Sequence, residues 1–167
     1  MSIKCPRTNA AFKQVTFDGI TVDISTGCGG IWFDNAEIKK FECANDTYGS
    51  HLIQMATPYM REDLDTFPRI RCPHHHDMTM MRRYFSPKRA VEVDECPECG
   101  GIWLDPGELG KIRSLFENPW ERREAIENLT RIHAIESGFE STLHEIKFSV
   151  QRTEIISIFV SDVLVDG

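Results

Sequence analysis

The sequence predicts an α+β protein: two tandem copies of a small antiparallel hairpin unit, each followed by a short helix, then a helical C-terminal region. Three observations lead there. A run of eleven residues returns later in the chain, the segment before each copy of that run has β-type patterning, and helix-start signals follow it. Cys28-Gly-Gly-Ile-Trp-Phe-Asp-Asn-Ala-Glu-Ile38 reappears 71 positions on as Cys99-Gly-Gly-Ile-Trp-Leu-Asp-Pro-Gly-Glu-Leu109, and Val22-Asp23 recurs as Val93-Asp94 at the same offset. Upstream, Cys5-Pro6 answers Cys72-Pro73 at an offset of 67, so the second copy has gained four residues between its halves. A hairpin loop is the expected place for them.

Taken in order, strands are expected over 15–17 and 20–24 in the first copy and over 79–85 and 90–94 in the second. Gly19 and Ser86-Pro87 supply the turns. A helix is expected directly after each Gly-Gly-Ile-Trp step. Asp105-Pro106-Gly107-Glu108 offers an N-cap acceptor, proline at the first helical position and a glutamate three residues after the cap, and Asp34 and Glu37 repeat the device. Residues 44–68, with Pro58, Pro68 and the acidic run Glu62-Asp63-Leu64-Asp65, read as a polar connector holding a short helix. Asn118-Pro119-Trp120-Glu121 opens an amphipathic helix of about five turns, with Ile126, Leu129 and Ile132 at helical spacing and a stop at Ser137-Gly138. From Ser141 onward the choice is harder. The run 155–165 is rich in β-branched residues yet keeps Ser157 and Ser161 four apart, which favours helix; eleven residues are too few to cross a bilayer. The resulting plan is 1–43, 44–68, 69–117 and 118–167, the last a candidate oligomerisation element and a route to a homodimer.

Composition narrows the function. The chain of 167 residues has 41% apolar and 27% charged residues, which is the balance of a folded protein. Its formal charge of −7 opposes general binding along duplex nucleic acid. The start, MSIKCPRTNA, lacks the pattern of a secretory signal, and no apolar run approaches a membrane span, so a cytoplasmic setting without membrane contact is expected. In a reducing compartment, closely spaced cysteines point to metal or redox chemistry rather than to a disulfide framework.

Spacing decides between them. Cys72-Pro-His-His75, then twenty residues, then Cys96-Pro-Glu-Cys99 makes two knuckles that a hairpin brings together as four tetrahedral ligands. Thiolates and imidazole suit Zn2+, and four protein ligands leave no open position, so the expected ion is structural, one per chain. Among His74, His75 and His76, equal knuckle spacing selects His75. In the first copy Cys5 and Cys28 keep their places, while Thr8 and Ser25 stand where His75 and Cys96 do. Hydroxyls are poor zinc ligands, so metal loss is favoured there over recruitment of the nearest outside candidates, Cys43 and His51; a Cys5–Cys28 disulfide is a further alternative.

The motif Cys72-Pro-x-His75, Val93-Asp94-x-Cys96-Pro-x-Cys99-Gly-Gly-Ile-Trp-Leu-Asp-x-Gly-Glu-Leu109 resembles the small bacterial zinc-ribbon domains of the transcription-factor-IIB-type zinc-finger family. The resemblance covers 72 to about 112 well and 5–42 in degenerate form. It implies two tandem zinc ribbons and places the family's metal positions on Cys72, His75, Cys96 and Cys99, with histidine in place of the second cysteine. It does not by itself imply a transcriptional role.

The remaining distinctive residues have structural readings. Trp32 and Trp103, between knuckle and helix start, are expected in the core rather than under a nucleobase. The Gly-Gly pairs permit the turn after a ligand cysteine. Asp105 and Glu108 are accounted for by capping, which leaves no catalytic residue. Residues 69–91 carry a net charge of +5, and Arg82, Arg83, Lys88 and Arg89 are candidate nucleic-acid contacts. The competing reading, slightly favoured, pairs the hairpin arginines with Glu92, Asp94 and Glu95. The expected function is a non-catalytic zinc-stapled module whose partner is a protein complex, of transcription machinery among others, or a nucleic acid. The alternatives are a redox-sensitive chaperone or assembly factor that releases zinc on oxidation, and a metalloenzyme, which requires an open coordination position.

Overall fold

The computed structural model describes residues 3–86 and 88–136. Pro87 of the expected turn, the stop at Ser137-Gly138 and the helix and oligomerisation element expected beyond it lie outside the described residues. Residues as far as Asn118 belong to one compact unit, and those from Pro119 to another.

Each copy contributes three strands, not two. The first has β1 (Phe12–Phe17), β2 (Ile20–Ser25) and β3 (Ile31–Phe33), and the second has β4 (Met81–Tyr84), β5 (Glu92–Glu95) and β6 (Ile102–Leu104). Asp18 and Gly19, both at positive φ, close β1 onto β2 in the two-residue turn whose twist suits a hairpin. Lys13 pairs with Ile24, and Met81 with the equivalent Glu95. Three of the four extra residues of the second copy therefore fall in its hairpin loop and one between knuckle and β4.

The third strands correct the expectation that a helix follows the Gly-Gly-Ile-Trp step directly. β3 and β6 pair antiparallel with each other, Trp32 opposite Trp103, and the six strands form one sheet in the order β1-β2-β3-β6-β5-β4. The order is its own mirror because the repeat is related to itself by an approximate two-fold axis through that tryptophan pair.

Strand alternation then sorts the faces. Val22, Ile24, Ile31, Phe33, Val93, Ile102 and Leu104 point to one side and pack against Leu52 and Ala56 of α1 (Thr47–Ala56) and Leu109 and Ile112 of α2 (Glu108–Arg113). α1 is the helix expected in the connector, begun by Asp46, whose side chain accepts from the Gly49 N–H at 2.6 Å. Arg113 of α2 is buried and donates to the carbonyls of Phe41, Ala44 and Asp46, tying the second copy to the end of the first. Trp32, Trp103, Cys5, Cys28, Cys72 and Cys96 cluster together in a second core. α3 (Pro119–Glu136) starts at the expected proline and runs for 18 residues. No helix among the described residues is long and apolar enough to cross a membrane.

The two indoles sit where side chains are missing. A Cβ at Gly30 would overlap Cζ2 of Trp103, and a Cβ at Gly101 would overlap Cζ2 of Trp32. The second glycine of each pair thus admits the other copy's indole, while the first, Gly29 or Gly100, takes the positive φ of the turn. Gly30→Ala or Gly101→Ala is expected to cost about 1–3 kcal/mol of stability in urea unfolding, because an added methyl forces a fully buried ring to move. Gly110→Ala, in open space on α2, is the control and is expected to stabilise by about 0.5–1 kcal/mol; equal losses at all three positions would contradict the interlock.

Candidate metal centre

The second copy's knuckles are loops at the ends of strands, so the sheet registers them. The Cys72 N–H donates to the Met78 carbonyl at 3.0 Å and the Cys96 N–H to that of Gly101 at 2.9 Å, and each link closes one loop. Between them the ligand atoms of Cys72, His75, Cys96 and Cys99 all lie within 4.8 Å of one another. Cys72 Sγ is 3.8 Å from Cys99 Sγ and from His75 Nδ1, and Cys96 Sγ is 3.9 Å from the same nitrogen. Tetrahedral zinc with bonds of about 2.3 Å to sulfur and about 2.0 Å to nitrogen sets its ligand atoms about 3.5–3.8 Å apart, so these distances fit the ion. Three thiols and one imidazole are zinc's preferred chemistry, and these four residues could hold it with Nδ1 as the imidazole donor. The outer Nε2 is 3.6 Å from Glu98 Oε1, the side from which a carboxylate orients a ligating ring. Burial pushes the Cys72 thiol up to about 12 in the absence of a cation, a cost that a bound dication removes.

His74 turns away from the centre. Its Nε2 is 3.5 Å from Asp34 Oδ1, and its ring lies 5.6 Å from that of Trp32. His76 is exposed and offers its carbonyl to Arg71 at 3.2 Å.

In the first copy the same four corners are Cys5, Thr8, Ser25 and Cys28. The Thr8 N–H donates to Cys5 Sγ at 3.4 Å, Cys28 Sγ is 3.4 Å from Ser25 Oγ, and the two sulfurs are 3.7 Å apart. Among the described residues, the second copy's is the one group of three or more His, Cys, Asp or Glu whose ligand atoms converge; Cys43 and His51 do not join Cys5 and Cys28 in another.

The repeat also builds a polar frame that sequence reasoning missed. Arg7, in the place of His74, crosses to the second copy and holds both oxygens of Asp105, at 2.9 and 2.7 Å, with Asp94 at 3.3 Å. Its side chain is 3% exposed. The signal was present in the repeat: a basic residue between the two knuckle positions, and paired acids at 23 and 34 and again at 94 and 105. Asp105 is not the helix cap expected of it. Gly107, in the left-handed region, precedes α2, and the Asp105 carboxylate accepts from the Trp103 indole N–H at 2.7 Å, as Asp34 accepts from that of Trp32 at 2.9 Å. The glutamate half of the device does form: the Asp105 N–H donates to Glu108 at 2.8 Å and the Asp34 N–H to Glu37 at 3.0 Å.

The basic hairpin is engaged internally. Arg82 lies opposite Asp94 and also donates to the carbonyls of Thr66 and Phe67, at 2.9 and 3.2 Å. Arg83 pairs with Glu95, and Lys88 reaches the Leu115 carbonyl and stands 4.3 Å over the Phe116 ring. Arg89 is exposed in the hairpin loop.

Two predictions follow from this geometry. With zinc supplied in excess, native mass spectrometry is expected to find one ion in His74→Ala and to find it lost or weakened in His75→Ala; the reverse order would reassign the ligand. The second concerns pH. Burial, with the charges of Asp105 and Asp94 adding to it, lifts Glu108 to about 8, above its unfolded value of about 4.3. The folded state therefore holds this proton more tightly, and its contribution to stability is full below about 4.3 and is lost as pH rises through about 8. Glu108→Gln keeps the acceptor for the Asp105 N–H and cannot ionise. At saturating zinc it should gain stability relative to the parent between pH 6 and 9; parallel curves would contradict the assignment.

The family model described as transcription factor zinc-finger matches residues 4–42 and again residues 71–114. No curated protein and no solved structure matches the chain. The family supports Zn2+ binding together with the Cys72, His75, Cys96 and Cys99 cluster, and its two matches coincide with the internal repeat. Both copies, the complete one and the one with two ligand positions replaced, belong to the zinc-ribbon transcription factor zinc-finger family.

Proposed function

We propose that the chain is a non-catalytic binding module in which zinc fixes the second ribbon, and through it the six-stranded sheet, as a recognition surface for a protein complex. The observation that carries this reading is the closed donor set: four protein ligand atoms from two knuckles satisfy a tetrahedral ion without water, which is the arrangement of structural and not of catalytic zinc. The family description supports a partner in the transcription machinery. Pairing of Arg82 and Arg83 with Asp94 and Glu95 favours a protein over a nucleic acid, because neutralising a phosphate would first require breaking a cross-strand pair. The gathering of Cys72, Cys96 and Cys99 into a metal-ligand cluster supports a reducing, cytoplasmic setting, where closely spaced cysteines serve metals more often than disulfides.

The test is capture of the tagged, zinc-loaded protein from its own cell extract, with and without nuclease. The expected result is a protein partner whose recovery survives nuclease and survives the double substitution Arg82→Ala with Arg83→Ala. Recovery that nuclease abolishes, and that the same double substitution abolishes, would make the hairpin a nucleic-acid surface instead.

A further inference from the structure

The first copy retains two sulfurs at the spacing of a metal edge without the other two ligands. Cys5 and Cys28 stand on the two knuckles with their Sγ atoms 3.7 Å apart, and both are buried in the second core. The corresponding pair of the second copy, Cys72 and Cys99, is as close, at 3.8 Å. What separates the copies is the remaining corners. His75 and Cys96 complete a soft donor set, whereas Thr8 and Ser25 present neutral hydroxyls. Thiolates committed to zinc are shielded from oxidation, and a close pair of free thiols is not.

We propose that Cys5 and Cys28 form a reversible dithiol–disulfide site that is oxidised by a small hydroperoxide while the second ribbon keeps its zinc. The proposal rests on the reading that the first copy carries no metal. The two thiols have different parts. Cys5 is 3% exposed and Cys28 0%, so Cys5 is the residue of the pair that lies nearer to solvent. The Thr8 N–H points at the Cys5 sulfur, and the hydrogen bond shared with the Cys28 thiol lowers Cys5 below its ordinary value, which favours Cys5 as the nucleophile of the pair. The Cys5 thiolate attacks one peroxide oxygen; the O–O bond breaks, an S–O bond forms, and the departing alkoxide or hydroxide takes up a proton. Cys28 then attacks Cys5 Sγ. The S–S bond forms as the S–O bond breaks, and the hydroxyl leaves as water with the Cys28 proton. The two sulfurs lose two electrons in all, and the hydroperoxide is reduced to water and an alcohol, or to two waters when it is hydrogen peroxide. The burial that admits so little solvent to Cys5 favours the smallest oxidant over a bulky disulfide such as that of glutathione.

The full-length, zinc-loaded chain treated with hydrogen peroxide, alkylated at its remaining thiols and mapped by peptide mass spectrometry tests this, with native mass spectrometry in parallel to count zinc. The expected product is a Cys5–Cys28 cross-link, two hydrogens lighter than the dithiol, in a chain that still holds one zinc; a dithiol reductant should reverse it. In Cys28→Ser the cross-link is lost and Cys5 is expected to stop at the sulfenic acid or oxidise further. Complete alkylation of both cysteines, with one zinc bound, would overturn the proposal alone. Two zinc ions per chain with both cysteines protected would overturn the metal-free reading beneath it. Oxidation of Cys72 and Cys99 with zinc loss before any Cys5–Cys28 cross-link would place the sensitive thiols in the other copy.

Discussion

Each indole occupies the space that a side chain on the other copy's glycine would fill, and the rest of the structure depends on that exchange. It fixes the antiparallel register of Trp32 on Trp103 and thereby makes one six-stranded sheet from two three-stranded ribbons. A ribbon of about forty residues has too little core to stand without a staple. The second copy has its four metal ligands. The first, with only two of the four positions kept, instead shares a sheet, a helix layer and a buried tryptophan pair with its neighbour, and each such ring removes about 150–250 Å² from water. One zinc can in this way support two ribbons.

The same symmetry explains a buried charge that would otherwise be costly. Asp94 is 3% exposed and Asp105 6%, and burial pulls Asp94 toward its neutral form. Arg7, brought across the two-fold axis, and Arg82 from the adjacent strand compensate them. Removing one partner of such a group leaves an unpaired interior charge, which typically costs about 3–5 kcal/mol. At the related position His74 meets Asp34 near the surface, with side chains 41% and 60% exposed. The two knuckles therefore carry different loads: one anchors the partner ribbon beside the Cys5–Cys28 thiol pair, and the other belongs to the candidate metal centre.

How much of this was legible in the sequence follows from where each signal lies. The repeat, the Cys72 to Cys99 spacing, the selection of His75, the connector helix and the start of α3 are local patterns, and single stretches of sequence carry them. β3 and β6 are not. Each is three residues long, too short to show a period, and is held between a strand of its own copy and the matching strand of the other. Asp105 illustrates a different limit. Asp-Pro-Gly-Glu has the composition of a helix start, and Glu108 plays its part, but Gly107 turns the chain before the helix and frees the Asp105 carboxylate for an indole and for an arginine 98 residues away. No local pattern marks Arg7, because its partners Asp94 and Asp105 lie in the other copy. The arginines of β4 were readable from the facing acids alone, since cross-strand neighbours follow from hairpin register.

Through the tryptophan joint the stability of the first ribbon is coupled to the metal of the second. Hydrogen–deuterium exchange read by mass spectrometry, before and after a chelator strips the zinc, measures this in the intact chain. Amides of Val15 to Ile24, which lie outside the core cluster that contains the second copy's cysteines, are expected to lose protection together with those of Met81 to Glu95. First-copy strands that stay protected after the second ribbon has opened would show that the two copies are stable independently, and would contradict the coupling.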